Sequence, residues 1–552
     1  MKKIVFLSLL GLLYFSCKEK DQTPQIAETE TPFVWEGANI YFLLTDRFNN
    51  GDPSNDVNFG RTKETGVLRN FMGGDIKGIT KKIEEGYFTD LGVNAIWFTP
   101  VVEQIHGSVD EGTGNTYGFH GYWAKDWTKL DPNFGTEEDL AELIATAHKN
   151  GIRILMDAVI NHTGPATEQD PAWGNSWVRT SPKCEFTTYE NTTQCTLVAN
   201  LPDILTESNE DVALPEELVE KWKAEGRLEQ EMAELDAFFE RTGYPRAPRY
   251  YIIKWLTDYI RAYGVDGYRV DTVKHTEEFV WKDLYTEAAL ALQDWKDAHP
   301  EQVLDENDFY MVGEVYNYGI SSGRNFDFGD QKVDFYDNGF TSLINFELKY
   351  DALKGYDSIF RKYDSILHSS LKGKSTLNYL TSHDDGNPYD KQRTKTKEAA
   401  TKLLLTQGAS QIYYGDEIAR PLDIEGTQGD ATLRSFMNWE DIDSLPETRQ
   451  LLEHYQKLGK FRRDHPAVGA GRHHTISQQP YVFSRTYSDA DFTDKVVIAL
   501  DASPGKKVIE VGDTFEEGSQ LKDAYSQQET VVKDGKAIVD SEFDIVLLEK
   551  KN

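Results

Sequence analysis

Four short segments of the sequence share one pattern, an apolar, β-branched run that ends in charged or polar residues. They are residues 157–162 (DAVINH), 267–275 (GYRVDTVKH), 312–315 (VGEV) and 381–385 (TSHDD). A strand whose body is buried in a parallel sheet and whose C-terminal end lines a site has this composition. Because such strand ends meet on one face of the sheet, we expect several carboxylates to lie together there, beside His and Arg side chains.

From about residue 35 onward, short β-branched runs alternate with amphipathic helical stretches, which is typical of parallel βαβ units. The helical stretches include 136–149, which Thr136 opens and Gly151 ends. Strands are expected at 39–45, 93–98, 152–158, 267–270, 310–313, 343–346, 377–381 and 410–414. Eight strands close a (β/α)8 barrel, so the predicted fold class is α/β, a TIM barrel within residues 35–469.

Two further domains are predicted around this barrel. Residues 164–248 are too many for a loop between a strand and a helix, so they predict an inserted domain after strand 3, with a solvent-facing helix at 215–241. Residues 470–552 contain short runs in which apolar and polar residues alternate, at 481–485, 495–500, 507–511 and 545–548. Gly/Asp turns separate these runs. This pattern predicts a C-terminal all-β domain, a β-sandwich.

The N-terminus has the pattern of a targeting segment. Lys2 and Lys3 precede an apolar run at 4–15 that is too short to span a bilayer, and Ser16-Cys17 follows. This resembles the cleavage and lipidation site of bacterial lipoproteins. We therefore predict a signal peptide at 1–17, a lipid anchor on Cys17, a flexible tether at 18–34 and export to the outer membrane, on its periplasmic or cell-surface face. A plain secretory signal is the alternative.

Composition excludes some partners and leaves one cysteine pair. The chain has 92 acidic and 59 basic residues, a formal charge of -33, which disfavours nucleic acid and anionic membrane surfaces. Beyond Cys17 there are only Cys184 and Cys195, which in an exported protein predict a disulfide, two free thiols being the alternative. No Cys/His set for zinc accompanies them. The chain is expected to be a monomer.

The four segments, in this order, resemble the signature regions of the α-amylase family (glycoside hydrolase family 13), and Leu201-Pro202-Asp203 lies where that family has a fifth region. The resemblance covers about residues 36–470. Within the family the chain is similar to bacterial periplasmic α-amylases, through 103–107 (EQIHG), 120–123 (HGYW), 201–208 (LPDILTES) and 414–417 (YGDE). It implies a barrel enzyme that cleaves glycosidic bonds with a pair of carboxyl groups.

The resemblance also implies roles for the residues at the strand ends. Asp271 would be the nucleophile, held ionised by Arg269 two residues earlier on the same strand face. Glu314 would be the general acid/base, with a pKa raised by burial and by neighbouring carboxylates. Asp384 would bind sugar hydroxyls in the transition state. The adjacent Asp385 is a second candidate for this role. The resemblance selects Asp384, whereas no physical argument from the sequence distinguishes the two.

Further residues of the resembling regions bear on the substrate. His162 and His383 would bind hydroxyls of the sugar at the cleavage point, and Tyr122 would stack on its apolar face. The pair Lys274-His275 accompanies family members that act within α-1,4-glucan chains. The implied function is a retaining, endo-acting α-amylase on starch, glycogen or maltodextrins.

Two alternatives stay open at this point. The first is a cyclomaltodextrinase or a cyclodextrin or maltodextrin transglycosylase, which would share the same machinery. The second, of another class, is a non-catalytic starch-binding surface lipoprotein. The latter predicts a missing nucleophile or acid, whereas Asp271, Glu314 and Asp384 are all present.

The resemblance implies calcium as well, at two sites of hard oxygen ligands. The first would consist of Asn161, Asp203 and the backbone carbonyl of His275, between barrel and inserted domain. The second resembles the first-loop site of cyclodextrin glucanotransferases and maps to Asn50, Asp52, Asn55 and Asp56, with the carbonyls of Gly73 and Asp75. The alternative for the second is an Asn/Asp/Gly turn cluster without metal.

Overall fold

The computed structural model describes residues 31–490 and 492–551. The predicted signal peptide, the lipidation site Cys17 and the tether up to residue 30 lie outside these residues. Within them, no helix has both the length and the apolar character needed to cross a membrane.

Eight parallel strands close into a barrel in chain order, which confirms the predicted fold class. They are Asn39–Leu43, Ala95–Phe98, Arg153–Ala158, Gly267–Val270, Tyr310–Gly313, Ser342–Asn345, Ser375–Asn378 and Ala409–Tyr413, called barrel strands 1 to 8. The first strand pairs with the last, Asn39 opposite Ser410, and this pairing completes the ring.

Every residue of these strands is buried, because side chains alternate between the barrel interior and the surrounding helices. Strands 6 and 7 begin earlier than the sequence indicates and end at Asn345 and Asn378. Their first residues, Ser342, Ser375 and Thr376, are polar yet buried, so an apolar pattern does not mark them as strand. The Asn345 amide donates to Asn378 Oδ1 at 2.8 Å, so an interior hydrogen bond satisfies the buried polar groups that an apolar pattern misses.

Helices surround the barrel. Glu137–Lys149 begins as the sequence predicts, with Thr136 and Asp139 exchanging side-chain and backbone hydrogen bonds. The other longer helices are Ile76–Glu84, Pro248–Tyr263, Glu278–Ala298, Tyr356–Leu367, Thr396–Leu405 and Pro446–Asp464. Short helices lie at Thr45–Phe48, Tyr87–Asp90, Leu348–Asp351, Asp441–Ser444 and Pro466–Ala470.

The inserted domain lies between strand 3 and helix Pro248–Tyr263. It contains the strands Val178–Arg179 and Asp203–Ile204, a short helix Glu190–Thr193, and two helices, Glu216–Ala224 and Leu228–Thr242. The helical stretch predicted at 215–241 is divided into these two helices at Gly226, which adopts φ 74°. It is not solvent-facing throughout, since Trp222 and Leu235 are fully buried. The sulfurs of Cys184 and Cys195 are bonded to each other.

A smaller excursion follows strand 2. Its antiparallel pair, Val102–Gln104 with Ala124–Leu130, carries the loop that contains Tyr122. A second short pair, Val109–Asp110 with Asn115–Thr116, forms the tip of this excursion.

The C-terminal region is all β, as predicted. Its six-stranded sheet has the order Arg472–Gln478, Tyr481–Asp489, Phe492–Leu500, Val546–Lys550, Gln520–Asp523 and Glu529–Val531. A two-stranded sheet, Gly505–Glu510 with Lys536–Ser541, packs on it through a buried cluster that includes Val497, Ile509 and Val539. His465, just after helix Pro446–Asp464, lies 2.8 Å from both Asp494 and Glu549 and joins the barrel to the larger sheet.

Candidate active site

One buried guanidinium connects three carboxylates at the C-terminal ends of strands 3, 4 and 5. Arg269 Nη1 lies 2.9 Å from Asp157 Oδ1 and 2.7 Å from Asp271 Oδ1. Arg269 Nη2 lies 2.8 Å from Glu314 Oε2. Because both terminal nitrogens belong to one planar group, Asp271 and Glu314 are held side by side at the mouth of the barrel.

The parallel pairing of the strands sets this geometry. Asp271 N donates to Ala158 O at 3.0 Å, and Glu314 N donates to Val270 O at 2.9 Å, so each residue extends its strand by one ladder step. Thr272 N then donates to Glu314 Oε2 at 3.0 Å. The backbone of strand 4 therefore fixes both the position and the orientation of the Glu314 carboxyl.

The environments of the carboxyls differ. Burial raises the pKa of Glu314 well above its ordinary value; Arg269 opposes this, while Asp271 and Asp384 add to it. Burial likewise raises the pKa of Asp157, against the lowering effect of Arg269. A carboxyl that keeps its proton near neutral pH, beside a carboxylate paired with Arg269, is the arrangement that acid catalysis requires.

The structure separates the two adjacent aspartates after strand 7. The Asp385 carboxylate contacts the Lys349 ammonium and accepts a hydrogen bond from Tyr379 Oη at 2.7 Å. Burial alone would raise the pKa of Asp385, but Lys349 and Tyr379 lower it below the ordinary value. Asp384 instead accepts from Ser382 Oγ at 3.3 Å. The structure brings Asp384, and not Asp385, into the group of carboxylates that face Glu314.

Tyr122, His162 and His383 line the same mouth. Tyr122 Oη donates to Asp157 Oδ2 at 2.8 Å, and its ring stacks on His383 with centroids 5.5 Å apart. His162 Nε2 lies 3.1 Å from Tyr122 O. Burial lowers the pKa of both His162 and His383, so both are neutral and can donate and accept at once.

Lys274 and His275 follow strand 4 in different directions. Lys274 Nζ donates to Tyr316 O at 3.1 Å, whereas His275 Nδ1 donates to Thr192 O of the inserted domain at 3.1 Å. The imidazole of His275 therefore fastens the inserted domain and is bonded away from the carboxylates, while Lys274 is half exposed beside them.

Two exposed aromatic side chains beside this pair were missed by sequence reasoning. Tyr316 is 43% exposed, its ring 5.4 Å from Lys274 Nζ, and Phe186 is 50% exposed, its ring 5.6 Å from that of His275. Both could have been found, since Tyr316 follows Glu314 by two residues and Phe186 lies inside the loop that Cys184 and Cys195 close.

The first predicted calcium site brings its three groups together. Asn161 Nδ2 lies 2.8 Å from Asp203 Oδ1 and 3.0 Å from His275 O. The amide oxygen of Asn161 lies 3.2 Å from His162 Nδ1, whose partner nitrogen already donates to a carbonyl. A neutral imidazole has one N–H, so the opposite amide assignment suits His162 better. That assignment places three oxygens face to face, and a cation between them fits.

The second predicted site is a compact loop. The oxygens Asn50 Oδ1 and Asn55 Oδ1 are buried and have no hydrogen-bond partner among the described residues. Gly73 has φ 87°, and a Cβ there would lie 2.6 Å from both Asn50 Nδ2 and Asp56 Oδ1. Unpartnered amide oxygens beside a carboxylate, in a cradle that a side chain would fill, fit a hard cation.

Two residues of this loop are placed differently from the prediction. The Asp52 carboxylate turns outward, because it binds Lys77 Nζ at 2.8 Å and Ser54 Oγ at 2.5 Å. Asp75 faces the loop with its carboxylate, which accepts from Gly51 N at 2.9 Å. Within the described chain, no cluster of three or more His, Cys, Asp or Glu side chains is placed to hold a metal, so each site needs amide and carbonyl oxygens beside its carboxylate.

Comparison with known proteins finds relatives that cover most of the chain. Residues 42–465 match the family model of the α-amylase catalytic domain. The chain is 37% identical over 535 residues to the periplasmic α-amylase of Escherichia coli, a match that covers 86% of this chain and 73% of that protein. It is 27% identical to the cyclomaltodextrin glucanotransferase of Geobacillus stearothermophilus, with 84% of this chain covered but only 59% of that protein.

Solved structures show the same fold. The α-amylase of Geobacillus thermoleovorans, solved with acarbose, superimposes with a TM-score of 0.63 at 21% identity, covering 94% of this chain and 100% of the other. An Anoxybacillus α-amylase superimposes with the same TM-score at 23% identity and the same coverage.

Proposed function

Because the chain belongs to the α-amylase family of glycoside hydrolases, we propose that it is a retaining, endo-acting α-amylase that hydrolyses internal α-1,4-glucosidic bonds of starch, glycogen or maltodextrins. The observation that carries the proposal is the pairing of Asp271 and Glu314 through Arg269. A retaining mechanism needs two carboxyl groups about 5–5.5 Å apart, one ionised and one protonated. A shared guanidinium supplies that proximity, and burial supplies the proton on Glu314.

In the first step Glu314 gives its proton to the glycosidic oxygen as the bond to the anomeric carbon breaks. Asp271 forms a bond to that carbon from the opposite side, and the shortened glucan leaves with a free hydroxyl group. Arg269 Nη1 lies 2.7 Å from Asp271 Oδ1 and holds in place the carboxylate that makes this attack.

In the second step the ionised Glu314 takes a proton from water, and the oxygen of that water displaces Asp271 from the anomeric carbon. Two displacements restore the original α configuration. Asp384 and the neutral His383 bind hydroxyl groups of the sugar ring and Tyr122 stacks on its apolar face, which orients the anomeric carbon toward Asp271. Both ring nitrogens of His162 are bonded, to Tyr122 O and to Asn161, so His162 positions Tyr122.

Calcium has a structural role in this proposal. Asn161, Asp203 and the carbonyl of His275 would hold one ion, and Asn50, Asn55 and Asp56 with the Gly73 carbonyl would hold another. The bound ions supply positive charge that fixes oxygen groups from distant segments. The residues themselves already meet, since the Asn161 amide lies between Asp203 and His275. The wall that carries His162 is thereby fastened to the inserted domain.

A second candidate is transfer of the glycosyl group to another sugar in place of water. The exposed rings of Tyr316 and Phe186 favour it, since aromatic faces on either side of Lys274-His275 could hold an acceptor glucan. Relatives named cyclomaltodextrin glucanotransferase support the same possibility. A non-catalytic starch-binding role is disfavoured, because a binding protein has no need of a buried carboxyl with a raised pKa.

The cellular location is proposed from the N-terminal sequence and from one relative. The Escherichia coli relative is named as periplasmic, which supports export. We propose in addition that Cys17 carries lipid and anchors the enzyme to the outer membrane. Mass spectrometry of the membrane fraction tests this, since a Cys17→Ser variant should lose the lipid mass and be released.

One digestion experiment separates the candidates. The protein without residues 1–17 is incubated with amylose, pullulan and β-cyclodextrin, and the products are resolved over time. Rapid loss of iodine staining with mixed maltooligosaccharides is expected for the endo-amylase. Cyclic products, or a strong preference for β-cyclodextrin, would reject it in favour of the second candidate. A Glu314→Gln variant should bind oligosaccharide without turning it over, and substantial residual activity would reject the role of Glu314.

A further inference from the structure

A cavity that is partly open to solvent lies beside the segments that carry Tyr122 and His162. Its volume is about 440 Å³, within the roughly 300–1,000 Å³ of small-molecule sites. Ala124, Thr163 and Gly164 line it, each within two residues of Tyr122 or His162. The opposite wall is helix Glu216–Ala224 of the inserted domain. None of the carboxylates or histidines of the candidate active site lines it, so the cavity is distinct from that site.

Planar rings form one side of this cavity. Phe59 and His106 stack with centroids 3.8 Å apart and planes 11° apart, and Trp173 is a third ring of the lining. Phe59 is 38% exposed and adopts φ 51°, in the left-handed region where a bulky side chain is strained. An exposed ring held in a strained backbone contributes little to the core, and its flat face suits the apolar face of a sugar.

The floor of the cavity is polar and rigid. Glu103 is 4% exposed and binds Lys221 Nζ at 2.7 Å and His106 Nε2 at 3.0 Å. Asp170 is 5% exposed and binds Lys125 Nζ at 2.6 Å. These buried ion pairs fix donors and acceptors in place, next to one another, which matches adjacent hydroxyl groups on a ring.

The charge of the lining excludes an anionic ligand. It contains four carboxylates and two ammonium groups, namely Glu103, Asp170, Glu217 and Glu225 with Lys125 and Lys221. Both lysines are already paired with carboxylates. The stacked rings together with the fixed donors and acceptors favour a neutral, polyhydroxylated ligand with one apolar face.

We propose that this cavity is a second sugar-binding site that takes a glucose disaccharide unit of an α-glucan. The choice of glucan rests on the proposed function; the site itself rests on the cavity. A polymer held here stays near the cleft, which raises the effective substrate concentration at the carboxylates. The site therefore favours attack on long chains over short ones.

The test counts binding sites in an enzyme that does not turn over. The Glu314→Gln protein is titrated with maltotriose by calorimetry, and two sites are expected. Adding Phe59→Ala, which removes the stacking face, or Glu217→Trp, which fills the opening from the exposed helix surface, should weaken one site by about tenfold or more. Phe279→Ala removes an equally exposed ring (41%) elsewhere and serves as the matched control.

The outcomes distinguish this inference from the proposed function. A single site in the Glu314→Gln protein, or two sites that persist in both cavity variants, overturns the second site and leaves the active site standing. Loss of all maltotriose binding overturns both. With Glu314 intact, Phe59→Ala should reduce adsorption to insoluble starch while hydrolysis of a short soluble maltooligosaccharide stays unchanged; unchanged adsorption counts against the proposal. Thermal unfolding of each variant verifies that it folds.

Discussion

The guanidinium nitrogen Nη2 of Arg269 lies 2.8 Å from Oε2 of Glu314. The same guanidinium binds Asp271 through its other terminal nitrogen at 2.7 Å. One cation thus restrains both carboxyl groups of the proposed mechanism, and it opposes the rise in the pKa of Glu314 that burial causes. Arg269 therefore sets both the distance between the two groups and the pH range in which they work.

Arg269→Gln should lower kcat/KM by at least about 100-fold, because the paired carboxyls lose their common anchor. The positive charge of Arg269 lowers the pKa of Glu314, so its removal raises that pKa further. The alkaline limb of the pH profile of kcat/KM, which reports loss of the Glu314 proton, should move to higher pH. A limb that moves to lower pH would contradict the account. Arg261→Gln, which removes a surface ion pair with Asp294, is the control.

Asp384→Asn and Asp385→Asn should separate activity from stability. Asp385→Asn leaves the buried Lys349 ammonium without its counter-charge and should destabilise the fold by about 3 kcal/mol. Asp384→Asn should cost at least about 100-fold in kcat and less than about 0.5 kcal/mol in stability. Urea unfolding and initial rates measure the two effects. The opposite pattern would mean that Asp385 faces the substrate.

Because of His465, the free energy of unfolding should fall as the pH becomes alkaline. Burial alone would lower its pKa, but Asp494 and Glu549 raise it to about 9, against about 6.5 in the unfolded chain. The stabilisation is therefore complete below about pH 6.5 and is lost as pH rises through 9. His465→Gln should be about 2–3 kcal/mol less stable than the parent at pH 6, and nearly equal at pH 10. A pH-independent difference would contradict this.

Calcium removal should loosen the fold without altering the catalytic carboxyls. EGTA is expected to lower the midpoint of thermal unfolding by about 5 °C or more, and added Ca²⁺, but not Mg²⁺, to restore it. Asn161→Leu and Asn55→Leu should each remove part of this response. A midpoint indifferent to chelator would mean that neither loop holds calcium.

Much of the fold was predictable because buried parallel strands are apolar runs. Strands 4 and 5 were found at their observed bounds, Gly267–Val270 and Tyr310–Gly313. Strands 6 and 7 were displaced because they begin at Ser342 and Ser375, polar residues that are buried only when the barrel closes. The break at Gly226 was missed since an isolated glycine does not by itself distinguish a kink from two helices.

The site was less accessible to sequence reasoning wherever a partner comes from a distant segment. The distinction between Asp384 and Asp385 depends on Lys349, which lies 36 residues before Asp385 and forms an ion pair with it. The spacing of the loop residues predicts Asp52 as a ligand, yet its carboxylate pairs with Lys77 instead. Charges that meet only after folding decide both cases.

The configuration of the first product tests the central claim most directly. Proton NMR is recorded on a maltooligosaccharide within the first minutes of hydrolysis, before the free sugar ends interconvert, with the Glu314→Gln protein as the blank. Two displacements, by Asp271 and then by water activated by Glu314, predict that the new reducing end appears first as the α anomer. If the β anomer appears first, water attacks directly, and the covalent role of Asp271 is wrong.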